Sequence, residues 1–145
     1  MVVTIRPMSE DDLDAVVRIE QATFKFPWTS KFFAADLNRP QSIMRVARTD
    51  EQLVGYCVAW HVADELHLAN IAIDSEFRHQ GIGTTLLNEL LKLGQEAGVK
   101  TVYLEVRLSN LAAQSFYIKH GFTHSYTRQK YYPDGEDALI FERRL

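Results

Sequence analysis

The run Arg78-His79-Gln80-Gly81-Ile82-Gly83-Thr84 brings together residue types that suit a phosphate. It follows a strand-like apolar run, Leu68-Ala69-Asn70-Ile71-Ala72-Ile73, and leads straight into a helical pattern. A helix start carries about four unpaired N–H donors and the positive end of the helix dipole, both favourable to an anion. Glycines at 81 and 83 remove side chains that would keep a ligand off the backbone. Two better-known phosphate loops do not fit. A Walker loop needs a Lys before its final Ser/Thr, and no Lys stands between Arg78 and Lys92. A dinucleotide fingerprint needs a third glycine where this chain has Leu86. A phosphate-bearing cofactor is expected here, with an ordinary glycine-led turn as the alternative that so short a motif leaves open.

A second stretch, Tyr103 to Phe122, carries Glu105, Asn110 and Tyr117. Strand alternation puts Tyr103, Glu105 and Arg107 on one face, away from Leu104 and Val106. On these residues alone Glu105 reads as a solvated strand carboxylate. Asn110 stands where a helix cap is wanted, and capping alone would explain it. Tyr117, beside Phe116 on a helical stretch, suits a core aromatic with its hydroxyl at the rim.

The elements that must hold these groups follow from periodicity and punctuation. Val2 to Arg6 reads as a strand. Ser9-Glu10-Asp11-Asp12 resembles a capping box, with Leu13, Val16 and Val17 at helical spacing up to about Thr23. Phe26-Pro27-Trp28 breaks that helix, and Thr29 or Ser30 restarts a short one through Phe33 and Leu37. Strands are expected over Ile43–Arg48, Leu53–Trp60 and Glu65–Ile73. Ile82, Leu86, Leu90, Leu93 and Ala97 then mark an amphipathic helix, stopped by Gly98. A strand over Thr101–Val106, a helix over Asn110–Lys119, and strands over Thr123–Tyr131 and Asp137–Arg143 complete the chain. The order β-α-α-β-β-β-α-β-α-β-β implies an α/β (α+β) fold with one mixed sheet and helices on both faces.

The 145 residues suit a single domain, 1–145. A net charge of -3 and no basic run argue against a sequence-independent grip on nucleic acid. No apolar stretch approaches the ~20 residues that span a bilayer, and the N-terminus lacks a secretory pattern. The lone Cys57 excludes an internal disulfide, fits a reducing cytoplasm, and reads as a small buried hydrophobe. The five histidines show no metal-ligand spacing and read as solvated or loop residues.

Several of these segments resemble the GNAT family of N-acetyltransferases. The loop pattern R-x-x-G-x-G is similar to its acyl-CoA loop. The pattern L-E-V-R-x-x-N-x-x-A-x-x-x-Y-x-x-x-G-F, from Leu104 to Phe122, looks closest to the RimI-type subfamily, which acetylates the N-terminal amine of a ribosomal protein. Ile19-Glu20-Gln21, Phe26-Pro27-Trp28 with Phe32, Asn70 to Asp74, and Tyr131 to Ala138 extend the likeness over nearly the whole chain. The resemblance implies acetyl-CoA as co-substrate, with no metal and no covalent enzyme intermediate. It implies that Glu105, its pKa raised by partial burial, accepts the amine proton and that Tyr117 protonates the departing thiolate. It also implies a backbone N–H from Ile71, Ala72 or Ile73 at the thioester oxygen and Asn110 on the pantetheine arm. The phosphates would rest on Arg78, His79, Gln80, Gly81, Ile82, Gly83 and Thr84. The acceptor, a protein or peptide N-terminus, is expected between Phe26-Pro27-Trp28 and Tyr131-Tyr132-Pro133. Trp28 and Tyr131 would grip it and Glu20 or Glu105 would attract its ammonium, although Trp28 suits loop packing equally. A monomer is assumed. Two rivals stay open: a GNAT enzyme for a lysine side chain or small amine, and a non-catalytic acyl-CoA-binding module.

Overall fold

The segment Leu53–Val62 decides the architecture, because it is buried along most of its length on both faces. Such a strand must lie at the centre of a sheet with a layer on each side. A computed structural model, which describes residues 2–145, has that arrangement. Its strands are β1 (Thr4–Pro7), β2 (Ser42–Arg48), β3 (Leu53–Val62), β4 (Glu65–Ile73), β5 (Thr101–Arg107), β6 (Thr123–Arg128) and β7 (Ala138–Arg144). Its helices are α1 (Leu13–Thr23), α2 (Ser30–Leu37), α3 (Ile82–Glu96) and α4 (Leu111–Lys119). The seven strands form one sheet in the order β1-β2-β3-β4-β5-β7-β6. All neighbours are antiparallel except β4 and β5, which the α3 crossover makes parallel. The expected mixed sheet and element order are therefore present.

Alternation along β3 serves both layers. Cys57 and Ala59 pack toward Leu86, Leu87, Leu90 and Leu91 of α3. Tyr56 and Val58 pack toward Val16 and Ile19 of α1 and Phe33 of α2. Each fully buried Leu or Phe of this kind contributes about 1.5–3 kcal/mol. The buried stripe of α3 ends on Leu91 and Gly94 rather than on Leu93 and Ala97. A Cβ at Gly94 would stand 3.3 Å from Leu66 Cδ2, so the helix rests directly on β4 there.

Gly55 marks a second close approach. A Cβ there would lie 2.8 Å from Ile73 Cδ1 and 3.0 Å from the Ala72 carbonyl oxygen. Gly55→Ala is expected to lower unfolding free energy by about 1–3 kcal/mol in urea titrations, because the added methyl overpacks the β3–β4 seam.

The β4–β5 junction creates the functional space. These strands pair only over Glu65, Leu66 and His67 with Thr101, Val102 and Tyr103. On the other edge of β4 the register with β3 passes from Leu68↔Ala59 to Asn70↔Val58, so Ala69 is an extra residue. A bulge of this kind bends and twists its strand. From that point β4 and β5 no longer pair, and a wedge opens between them.

Two boundaries differ from expectation. β1 begins pairing at Thr4 rather than Val2 and includes Pro7, which an edge strand tolerates. β6 stops at Arg128 rather than Tyr131. Lys130 turns the chain with φ +51°, and its N–H donates to Asp137 Oδ1 at 2.9 Å. Tyr131 leaves the sheet as a result.

Candidate active site

The loop from β4 to α3 is built to expose donors. Asp74 Oδ1 accepts from the Glu76 N–H at 3.0 Å and starts a single 3-10 turn, Ser75–Phe77. Arg78 Nε then donates to the Ile73 carbonyl at 3.2 Å. His79 and Gly81 both adopt left-handed backbone, φ +62° and +82°. Left-handed residues interleaved with right-handed ones turn successive N–H groups to one side, forming an anion-binding concavity. Among the described residues, no N–H from His79 through Thr84 finds an acceptor within the chain, whereas the Thr85 N–H already bonds the Gly81 carbonyl at 3.1 Å. The loop faces a hollow of about 480 Å³ that Arg78, His79, Gly81, Ile82, Gly83 and Thr84 line together with Phe116 and Lys119. The Gln80 side chain is exposed and does not line it. Lys119, across the hollow on α4, is a cation that the sequence reading did not single out. Its place at the hollow follows only from the packing of α4 beside α3.

This hollow continues into the wedge. A second hollow of about 430 Å³ shares Ile73, Arg78, Gly83 and Phe116 with the first and adds Ile71, Ala72, Asn110, Ala113 and Tyr117. A third, of about 460 Å³, shares Ile71, Asn110, Ala113 and Tyr117 and reaches Glu105, Arg107, Asp134 and Glu136. One channel thus runs from the α3 N-terminus to the open end of β5. The Asp74 N–H bonds Val54 of β3, whereas the Ile73 carbonyl faces the opposite way, to Arg78. Strand alternation therefore turns the N–H groups of Ile73 and Ile71 into the wedge. Ala72 faces β3 instead and is not an N–H donor to the channel. Asn110 has two places in the structure. Its Oδ1 caps α4 by accepting from the Ala113 N–H at 3.1 Å, and its side chain lines the channel.

Glu105 and Tyr117 line the same hollow from opposite layers. Tyr117 is 7% exposed and its ring packs edge-on against Phe116 and Phe122, at 5.2 and 5.5 Å between centroids. Its hydroxyl has no hydrogen-bond partner among the described residues, and burial pushes the phenol above its ordinary pKa. It therefore stays protonated at any physiological pH. Glu105 departs from expectation. Burial does act to raise its pKa, but hydrogen bonds outweigh that effect and leave it below the usual glutamate value. His67 Nε2 lies 2.6 Å from its Oε2, and the Tyr131 hydroxyl donates to Oε1 at 3.1 Å. His67 was read as a solvated or loop histidine; it is only 19% exposed and belongs to this site.

The comparisons with known proteins bear on this geometry. The family model described as Acetyltransferase (GNAT) family matches residues 13–122. The [ribosomal protein bS18]-alanine N-acetyltransferase of Escherichia coli (strain K12) is 38% identical over 141 residues, covering 94% of each chain. The chain belongs to the GNAT family of acetyltransferases. It is an acetyl-CoA-dependent N-acetyltransferase by that membership. The crystal structure of the ribosomal-protein-S18-alanine N-acetyltransferase from Escherichia coli superposes with a TM-score of 0.90 at 36% identity, over 99% of this chain and 94% of that one. Ard1 from Thermoplasma volcanium superposes with a TM-score of 0.94 at 28% identity, over 100% and 99%.

In this GNAT chain the β5 end of the channel is braced by charge. Arg107 Nη1 binds Asp134 Oδ2 at 3.0 Å and Glu136 Oε1 at 2.8 Å, and its guanidinium lies 4.0 Å above the Tyr132 ring. Lys25 reaches Asp134 from the α1–α2 connection at 2.9 Å. The Lys25 and Arg107 contacts hold the Asp134 carboxyl well below its usual range. The two segments expected to flank the acceptor therefore do face each other. Glu20 is 1% exposed, and its carboxylate accepts from the Trp28 N–H at 2.9 Å, Asn70 Nδ2 at 2.8 Å and the Tyr56 hydroxyl. These bonds make Glu20 a strut for Trp28 and Asn70, and it also lines the small hollow beside them. The Trp28 ring stacks on Trp60 at 5.8 Å and meets Phe33 at 5.5 Å, so packing accounts for most of it, while its rim lines a hollow of about 220 Å³ with Phe26 and Tyr132.

Proposed function

We propose that this enzyme transfers the acetyl group of acetyl-CoA to the α-amine of a protein, most specifically a ribosomal protein with a small first residue. The observation that carries this reading is the continuous channel. Unpaired N–H donors lie at one end, and Glu105 and Tyr117 flank its far end, where a braced cleft opens to a chain terminus. The relatives named as bS18-alanine N-acetyltransferases support the choice of acceptor. Residues 1–145 act as one N-acetyltransferase domain in this proposal. The buried Cys57 supports action in a reducing compartment such as the cytoplasm.

Acetyl-CoA supplies the thioester when bound, and the residues around it do the rest. The loop from Arg78 to Thr84 holds the phosphates through its N–H groups. Asn110 steadies the pantetheine arm. An α-amine has a pKa near ~7.7–8.0, so it must lose a proton to attack at neutral pH. Glu105, ionised throughout the working range, takes it directly or through water. The Ile71 or Ile73 N–H meets the negative charge that develops on the thioester oxygen. Tyr117 protonates the leaving thiolate from the hydroxyl it presents to the channel. Tyr131 orients Glu105 at the cleft.

Tyr117→Phe is expected to reduce kcat by ~10²-fold or more with the acetyl-CoA Kd unchanged, measured by stopped assay and calorimetry. Removing only one oxygen keeps the Phe116 and Phe122 packing, so the fold survives. For the function itself, mass spectrometry of ribosomal-protein N-terminal peptides incubated with acetyl-CoA should find a single added acetyl group on the α-amine of peptides with small first residues. Acetylation confined to lysine side chains or polyamines would favour a different acceptor class. Binding of acetyl-CoA without turnover on any amine would indicate a non-catalytic module.

A further inference from the structure

The imidazole behind Glu105 has no part in the reaction as set out above, yet it is held more tightly than any other histidine in the chain. The parallel β4–β5 register seats His67 opposite Tyr103, one same-face position before Glu105. Its ring stacks on Tyr103 with centroids 4.6 Å apart and planes within 4°. Its edge meets Trp60 at 5.3 Å, and the Trp60 indole N–H is itself anchored to the buried Asp36 at 2.9 Å. The ring therefore cannot swing away from the carboxylate. An ionised carboxylate only accepts hydrogen bonds, so the nitrogen that faces Oε2 at 2.6 Å donates, and Nε2 carries a proton. The Tyr131 hydroxyl donates to the other oxygen. Two donors from separate segments thus fix the plane of one carboxylate.

We propose that His67 is a positioning residue for the proton acceptor: its Nε2–H aims the Glu105 carboxylate at the incoming amine and keeps it ionised in a half-buried site. This rests on the reading of Glu105 as the base. The amine nitrogen gives its proton to Glu105, which returns it to solvent after product leaves; His67 donates one hydrogen bond throughout and loses no proton. The other charged or titratable groups around Glu105 are Tyr103 and Arg107 on β5, Arg128 on β6, and Tyr131 and Tyr132 on the connection to β7. Of these, the Tyr131 hydroxyl and Arg128 favour the ionised form, and burial opposes it. His67 opposes burial more strongly than either.

The test is a carbon-13 NMR titration of the Glu105 carboxyl in the wild type, His67→Leu and His67→Gln. The wild-type midpoint is expected below the ordinary glutamate value of ~4.3. His67→Leu should move it upward, and His67→Gln, whose amide N–H replaces the imidazole hydrogen bond but not its charge, should place it between the two. The acid limb of kcat/KM should shift in the same order. In His67→Leu, neutral-pH kcat should fall roughly 10-fold or more, the cost typical of removing a residue that orients a catalytic group, with acetyl-CoA KM unchanged and with recovery in His67→Gln. A wild-type midpoint at or above the ordinary value, or one unmoved by His67→Leu, would overturn the proposal. The wild-type measurement stands even where the leucine variant does not fold. An enzyme inactive on every peptide would instead count against the proposed reaction, because the titration needs no turnover.

Discussion

Replacing Glu105 with glutamine is expected to lower kcat for peptide acetylation by ~10²-fold or more while the acetyl-CoA Kd stays near the wild-type value. The amide is nearly isosteric, so the β5–β7 pairing through Ile140 is kept. It can still accept from the Tyr131 hydroxyl or His67 Nε2–H through its one oxygen. What it lacks is a basic lone pair for the amine proton. The residual rate should climb with pH as more of the amine arrives already neutral, which gives the variant a steeper dependence above neutrality than the wild type. Equal turnover in the two proteins, measured at saturating acetyl-CoA, would remove Glu105 from the mechanism.

A different failure is expected at Gly81. Its φ of +82° lies where a side chain costs roughly 1–2 kcal/mol, and no atom lies within 4 Å of the position a Cβ would take. Gly81→Val therefore folds, with modest destabilisation, but the loop must either carry the strain or turn its N–H groups away. In the first case the valine side chain crowds the donor row from His79 to Thr84, and in the second the row itself is lost. Acetyl-CoA affinity should drop by ~10²-fold or more in calorimetry, since a phosphate site loses several charge-assisted bonds together. Unchanged affinity with a folded variant would mean that the cofactor phosphates bind elsewhere.

These two positions were legible in the sequence for a shared reason. The donor loop is local: strand, glycines and helix start lie within a short run, and each signal depends on neighbours along the chain. Glu105 was likewise placed on the correct face by alternation in a strand whose burial pattern proved regular. The groups around it were not legible. His67 lies 38 residues earlier, and only the parallel β4–β5 register brings it to Oε2. Nothing in local periodicity reports that register. Tyr131 read as the end of a strand because the left-handed turn at Lys130 occurs in a residue type that gives no such signal. Both donors were therefore missing from the expectation for Glu105. Burial alone predicted a raised pKa, whereas the hydrogen bonds lower it. The surroundings of Glu20 were hidden for the same reason. Its charge suggested an ammonium ligand, and the Tyr56, Asn70 and Trp28 donors that hold it come from β3, β4 and the α1–α2 connection. The brace of Arg107, Asp134, Glu136 and Lys25 was similarly invisible, being assembled from three separate segments.

The wedge between β4 and β5 joins these parts. The bulge at Ala69 ends the pairing of the two strands and turns N–H groups of Ile71 and Ile73 toward open space. Tyr117 then lies across that space from them, and Glu105 lies farther along it. The arrangement places binding and chemistry at successive points on one line, so the position of a bound thioester follows from where its phosphates are held.

A crystal structure of the protein with CoA tests that line most directly. The diphosphate oxygens are predicted within hydrogen-bonding distance, about 2.7–3.2 Å, of N–H groups between Gly81 and Thr84. The thiol should lie in the wedge beside the Tyr117 hydroxyl. CoA bound away from the head of α3, or a thiol directed out of the wedge and away from Tyr117, would contradict the account.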